Sequence, residues 1–227
     1  MSSDQDDLYD QGAGCDSGPD LQDGQQSVYR ADDCLLGFIE KGGERVRKLS
    51  IDVDGVGIVC VDFHKGMYQS DIRSEADFFT VNPQDAQVGY GNNAVQGGWR
   101  PIEELLWKAA YYGSSGRLLE GCNLYDVVEL QRWPNFTRLP HEIGCLPLCS
   151  LLARRPSSIA FAYRLLRVPP ADAMRFYSAA RSAGDLRVIS AQPDVKESTA
   201  VFENAREGLE ETHSGFWTRL FGRVVGL

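Results

Sequence analysis

The chain has 227 residues, 43% of them hydrophobic, which suits one or two domains with real cores. No apolar run is long enough to span a bilayer, and the opening MSSDQDDLYD lacks the basic and apolar stretches of an export signal. The formal net charge is -9, and the six cysteines show no compact disulfide spacing, so a cytoplasmic protein with reduced thiols is expected.

The charge is unevenly placed. Residues 1–33 hold nine Asp and a single base, Arg30, for a net of -8, whereas the rest of the chain sets 22 bases against 23 acids. The first stretch is also poor in aliphatics, so it cannot bury enough surface to offset chain entropy. A disordered acidic tail is expected there, repelling nucleic acid and anionic membranes.

Residues 34–137 read as a small α+β unit. A strand is predicted over 45–53, with Val46, Leu49, Ile51 and Val53 apolar. Asp54-Gly55 signals a two-residue hairpin, and residues 56–63 return with Ile58, Cys60 and Asp62 on one face and Val59, Val61 and Phe63 on the other. His64-Lys65-Gly66 makes a second turn into a strand over 67–72. Residues 76–81 (ADFFTV) read as a fourth strand, broken by Asn82-Pro83. The Gly/Asn-rich stretch 89–98 is a loop. Pro101 then opens a helix whose inward face is Ile102, Leu105, Leu106, Ala109 and Tyr112. A short strand over 126–130 precedes Trp133-Pro134.

Residues 138–192 read as a second unit of three helices and a strand. A helix over 143–154 carries Pro147 in its first turn. Pro156-Ser157-Ser158 caps a helix over 159–167, and Val168-Pro169-Pro170 turns into a third helix over 171–183, stopped by Gly184. Residues 186–189 form a strand. An acidic linker or exposed helix spans 193–213, and six acids against two bases fall within 194–211. In the final segment, 214–227, Phe216, Trp217, Leu220, Phe221 and Val224 share one side of a helical wheel and Arg219 and Arg223 the other. That pattern predicts an amphipathic docking helix, with those five apolar residues as the partner-binding set.

The run LLARRPSSIAFAYRLLRVPPADAMRFYSAARSAGDLRVI resembles winged helix-turn-helix domains, whose third helix ends in Ala-Gly and leads into a wing. The resemblance implies an exposed recognition face of Asp172, Arg175, Ser178, Ala179 and Ser182. It also implies inward packing of Met174, Tyr177, Ala180 and Ala183. Nucleic-acid contact would fall to Arg175, Arg181 and Arg187. Residues 139–192 carry seven Arg and three acids, a modest excess for a domain that binds DNA alone.

Around residues 37–116 a second resemblance is carried by Gly43, Asp54-Gly55, Gly66 and Leu105-Leu106-Trp107. These match the PATAN-type (PatA N-terminal) modules of bacterial signalling proteins. That resemblance implies a non-catalytic interaction module in bacterial regulation, surface motility included.

Chemistry-bearing residues are few. Gly55-Val56-Gly57 and Gly89-Tyr90-Gly91 lack the third glycine at a helix start, and no Gly-Lys-Ser/Thr is present. His141, Cys145 and Cys149 recur at four-residue spacing, and Cys122 could complete a zinc set, but core packing of the thiols is the stronger expectation. No nucleophile stands beside a base. Arg154-Arg155 could take a phosphate and is better explained as a helix C-terminus.

The expectation is therefore an α+β fold. A small antiparallel sheet with a helix comes first, and a winged-helix-like three-helix domain follows. The protein is expected to be a non-catalytic regulatory adaptor, without cofactor, metal or small-molecule substrate. Its expected partner is another signalling protein, GTPase-type regulators included. The alternatives are DNA, as a transcriptional regulator, and peripheral membrane contact through the last helix.

Overall fold

The computed structural model describes residues 27–91, 95 and 97–191. The fold is α+β, as expected. Its main sheet is antiparallel with strand order β5-β2-β3-β4-β6: β2 Lys48–Val53, β3 Gly57–Asp62, β4 Met67–Ile72, β5 Ala86–Gly89 and β6 Arg100–Pro101. Alternation in β2 and β3 puts Leu49, Ile51, Val53, Val59 and Val61 on the core face, as their period of two dictates. The β2–β3 turn differs from expectation. Val53 pairs with Gly57, so the loop has three residues, with Gly55 at φ 71°. The Val56 amide donates to the Val53 carbonyl, which closes a four-residue turn with Gly55 in its third position, where glycine adopts a positive φ without strain.

Residues 76–81 are not a strand. Helix α2, Glu75–Phe79, starts at Ser74, whose hydroxyl accepts a hydrogen bond from the Asp77 amide. A strand would point Phe78 and Phe79 to opposite faces, yet both are buried here, edge to face at 5.2 Å. Helix α1, Leu36–Arg45, was not signalled by its glycine-containing sequence.

Helix α3, Ile102–Ser114, forms where Pro101 announces it. Its expected single inward face is too narrow. Glu104, Trp107, Lys108, Ala110, Tyr111 and Ser114 are buried besides Leu105 and Ala109, whereas Ile102, Leu106 and Tyr112 are only partly buried. The helix is central, so it has little outward side. The Trp107 indole donates to the Pro140 carbonyl at 3.0 Å and stands edge-on to Phe136 and Phe176.

Three helices follow: α4 Cys145–Arg154, α5 Ile159–Leu166 and α6 Pro170–Ser182. A second antiparallel sheet of order β10-β8-β9 joins them: β8 Val127–Leu130, β9 Ser157–Ser158 and β10 Leu186–Ser190. Strand β8 lies before the expected boundary at 137/138, yet it pairs with two strands beyond it. Helix α6 packs on α3 through Phe176 and Trp107, whose rings are 6.1 Å apart. One continuous set of buried side chains runs from Tyr29 to Leu186. The two expected units therefore share a core, because neither layer can cover its apolar side alone.

The tail boundary also shifts. Residues 28–33, expected to be disordered, contain strand β1, Val28–Tyr29, and a 3-10 turn, Ala31–Asp33. Strand β1 pairs in parallel with β7, Leu118–Leu119. Tyr29 is fully buried, and its hydroxyl donates to the Ala110 carbonyl at 3.1 Å. Among the described residues no helix is long and apolar enough to cross a membrane.

Candidate functional site

Helices α4 and α5 form a pair with one buried and one open side. In α4 the buried residues are Cys145, Leu148, Cys149 and Leu152. In α5 they are Ile159, Ala160 and Ala162. The Ser158 hydroxyl caps α5 by accepting from the Phe161 amide, and Arg167, at φ 56°, ends it. The chain then turns back, and the Val168 amide donates to the Tyr163 carbonyl. A Cβ on Gly144 would come within 2.6 Å of Val168 Cγ1, so the absence of a side chain at Gly144 lets the start of α4 lie against the end of α5.

The open side is apolar. Phe161 and Leu165 are 54% and 56% exposed, and on α5 they lie one turn apart in a single stripe. Ile143, 92% exposed, and Leu146, 49%, add to it at the start of α4. The same two helices carry exposed guanidinium groups: Arg154 and Arg155 at the α4 C-terminus, and Arg164 and Arg167 at the end of α5. Arg164 also lies over the Tyr163 ring at 5.7 Å. A lone exposed leucine needs no explanation, whereas an exposed aromatic and leucine stacked one turn apart, on a helix that also exposes arginines, have the composition of a contact surface.

Two clefts lie elsewhere. One, on the main sheet, is lined by Val46, Arg47, Lys48, Asp62, Lys65, Tyr90 and Gly91. It is open, and Lys48 approaches Asp62 at 3.9 Å. The other, of about 210 Å3, lies by Trp133. There Arg132 bonds Asp185 at 2.8 Å and reaches Glu103 at 3.8 Å. Arg138 approaches Glu104 at 3.6 Å. These charges are largely neutralised by one another.

The helix expected to read DNA is placed otherwise than the winged-helix resemblance implies. Ser178 and Ala179, expected outside, are fully buried, as are Tyr177 and Ala180, expected inside. The Ser178 hydroxyl accepts from the Leu119 amide at 3.0 Å. Helix α3 on one side and the neighbouring elements on the other leave α6 no long free face for a groove. Arg175 is three-quarters buried, bonds Glu142 at 3.0 Å and covers the Tyr111 ring at 5.3 Å. The Tyr111 hydroxyl shares that carboxylate at 3.2 Å, and burial raises its pKa. Arg187 bonds Glu129 at 2.8 Å, and Arg181 is exposed at the end of α6. Strand β10 pairs with β8 from before α4, which takes the place a wing partner would have among the described residues.

Four of the described thiols lie in or against the core: Cys34, Cys122, Cys145 and Cys149. Burial pushes Cys34, Cys122 and Cys145 up to about 11 and Cys149 to about 12, far from the thiolate form that attacks or ligates. The His141 ring donates from Nδ1 to the Leu139 carbonyl, 2.9 Å away, and packs on Phe136. Among the described residues no group of three or more His, Cys, Asp or Glu is placed to hold a metal ion.

Phe216, Trp217, Leu220, Phe221 and Val224, the expected partner-binding set, lie outside the described residues. The surface formed by Ile143, Leu146, Phe161 and Leu165 was not singled out from sequence. Its signal was available in IAFAYRLL: the Ser158 cap fixes the phase, and the small Ala160 and Ala162 mark the side that packs closely. When the chain is compared with family models, with curated proteins and with solved structures, none of them matches it.

Proposed function

We propose that the protein is a non-catalytic regulatory adaptor of the bacterial cytoplasm, working through protein–protein contact on the open side of α4 and α5. The observation that carries this reading is the stripe of Phe161 and Leu165, both more than half exposed on a helix whose small residues face inward. Fully burying such a side chain contributes about 1.5–3 kcal/mol, so covering the exposed half of each contributes roughly 1 kcal/mol, and the pair together can anchor a contact. The exposed Arg residues of the two helices suit a partner with an acidic rim. Another signalling protein, GTPase-type regulators included, fits that description better than DNA does, because Arg175 on α6 and Arg187 on β10 are paired with Glu142 and Glu129.

The test is quantitative affinity capture from cells of the native host, with the full chain as bait. A Phe161→Ser, Leu165→Ser double variant is expected to lose at least about tenfold of one specifically retained protein. If wild type and variant retain the same proteins in the same amounts, the reading fails.

A further inference from the structure

We infer that residues 214–227 of the same chain dock on the open face of α4 and α5, so the contact surface has an occupant built into its own polypeptide. This rests on the reading of that face as a contact surface and goes beyond it by naming what covers it.

Three observations point to this occupant. The first is where the described chain ends. Ser190 in β10 pairs with Val127 in β8, and Val127 pairs with Ser158 in β9. Ser158 is the N-cap of α5. The chain therefore leaves two strand spacings, about 10 Å, from the start of the helix that displays Phe161 and Leu165.

The second is length. Residues 192–213, 22 in number, separate that exit from the apolar segment. Fully extended, that many residues reach about 70 Å, so the length of chain is ample for the short distance from the exit to a two-turn helix. Such tethering gives a local concentration on the order of millimolar, well above that of a second copy at ordinary protein concentrations.

The third is complementarity. The segment's Phe216, Trp217, Leu220, Phe221 and Val224 suit the exposed Phe161 and Leu165 of α5, with Ile143 and Leu146 exposed at the start of α4, which lies against the end of α5. Its linker carries six acids against two bases in 194–211, and α4 and α5 carry the exposed Arg154, Arg155, Arg164 and Arg167. An acidic strand of chain passing these arginines guides the apolar segment to the face and opposes its release.

The experiment uses the full chain with 5-fluorotryptophan at its four Trp positions, read by fluorine NMR. A Trp217→Phe variant assigns the Trp217 signal. That signal is expected well away from its position in a free synthetic peptide of residues 214–227, and unchanged on dilution. In the Phe161→Ser, Leu165→Ser full chain it is expected to move to the peptide position. The Trp107 signal from the core should stay in place there, reporting an intact fold. A wild-type signal at the peptide position overturns the inference, as does a displaced signal that ignores the double variant. A displaced signal that collapses on dilution also overturns it, in favour of a second copy. If the signal is free while capture still depends on Phe161, the occupant fails and the contact surface stands.

Discussion

Helices α5 and α6 are neighbours in the chain, yet they use their side chains in opposite ways. In α5 the small residues Ala160 and Ala162 face the core, and Phe161 and Leu165 face out. In α6 nearly the whole circumference is closed, with Ala173, Phe176, Tyr177, Ser178, Ala179 and Ala180 buried. By composition α6 is the more polar of the two. What decides burial is the number of layers a helix lies between. Helix α6 is held against α3, whereas α5 borders solvent. Hydrophobic content alone would have ranked the two helices the wrong way round.

The largest expected effect breaks this comparison most directly. Phe176→Ala removes a fully buried ring beside Trp107 and should cost about 3–5 kcal/mol. Phe161→Ser should cost less, under about 1.5 kcal/mol, because only half the ring is buried by the described residues and it loses besides only its contact with residues 214–227. Urea denaturation of both variants is the measurement. Similar losses would mean that α5 is covered as fully as α6 and would remove the distinction.

Next comes the polar side of α6. Ser178→Ala takes the acceptor from the buried Leu119 amide, and the stranded donor should cost about 1–3 kcal/mol in the same assay. Arg175→Ala ranks lower, at roughly 1 kcal/mol, since its ion pair with Glu142 is partly wet and its stacking on Tyr111 is a single contact. Paired with Arg181→Ala, it is also expected to leave any salt-dependent retention on DNA unchanged. A clear loss of retention would return α6 to the role of a groove reader.

These contrasts show how far the sequence could be read. The hairpin strands were legible because alternation and turn residues are local signals, and Ser158 and Gly184 marked helix ends correctly. The strand expected at residues 76–81 became α2 because the cap at Ser74 and the joint burial of Phe78 and Phe79 outweighed their β-propensity. The closed circumference of α6 was not legible. It depends on α3, about 70 residues earlier, and no local pattern records which helix covers which. The exposed face of α5 was half legible: the cap set the phase, but the direction of the core had to come from tertiary structure.

The smallest expected effect concerns how the two helices end. Helix α5 stops at exposed Arg167, whereas α6 is followed by Gly184 and the almost fully buried Asp185. The Asp185 carboxylate accepts from the Arg132 guanidinium at 2.8 Å, and its backbone carbonyl accepts from the Gln131 amide. Burial raises its pKa above the usual carboxylate value, and Arg132 offsets only part of that. A carboxyl whose folded pKa is raised favours the fold in its protonated form. Its contribution is therefore complete below about pH 3.9 and is lost as pH rises through the raised value. Asp185→Asn keeps an acceptor for Arg132 and removes the buried charge. Urea midpoints followed across that window should decline less for the variant, with a gain of up to about 1 kcal/mol at neutral pH. If the variant is instead weakened at neutral pH and unchanged in acid, the Arg132 pair outweighs burial, and the end of α6 is anchored by charge.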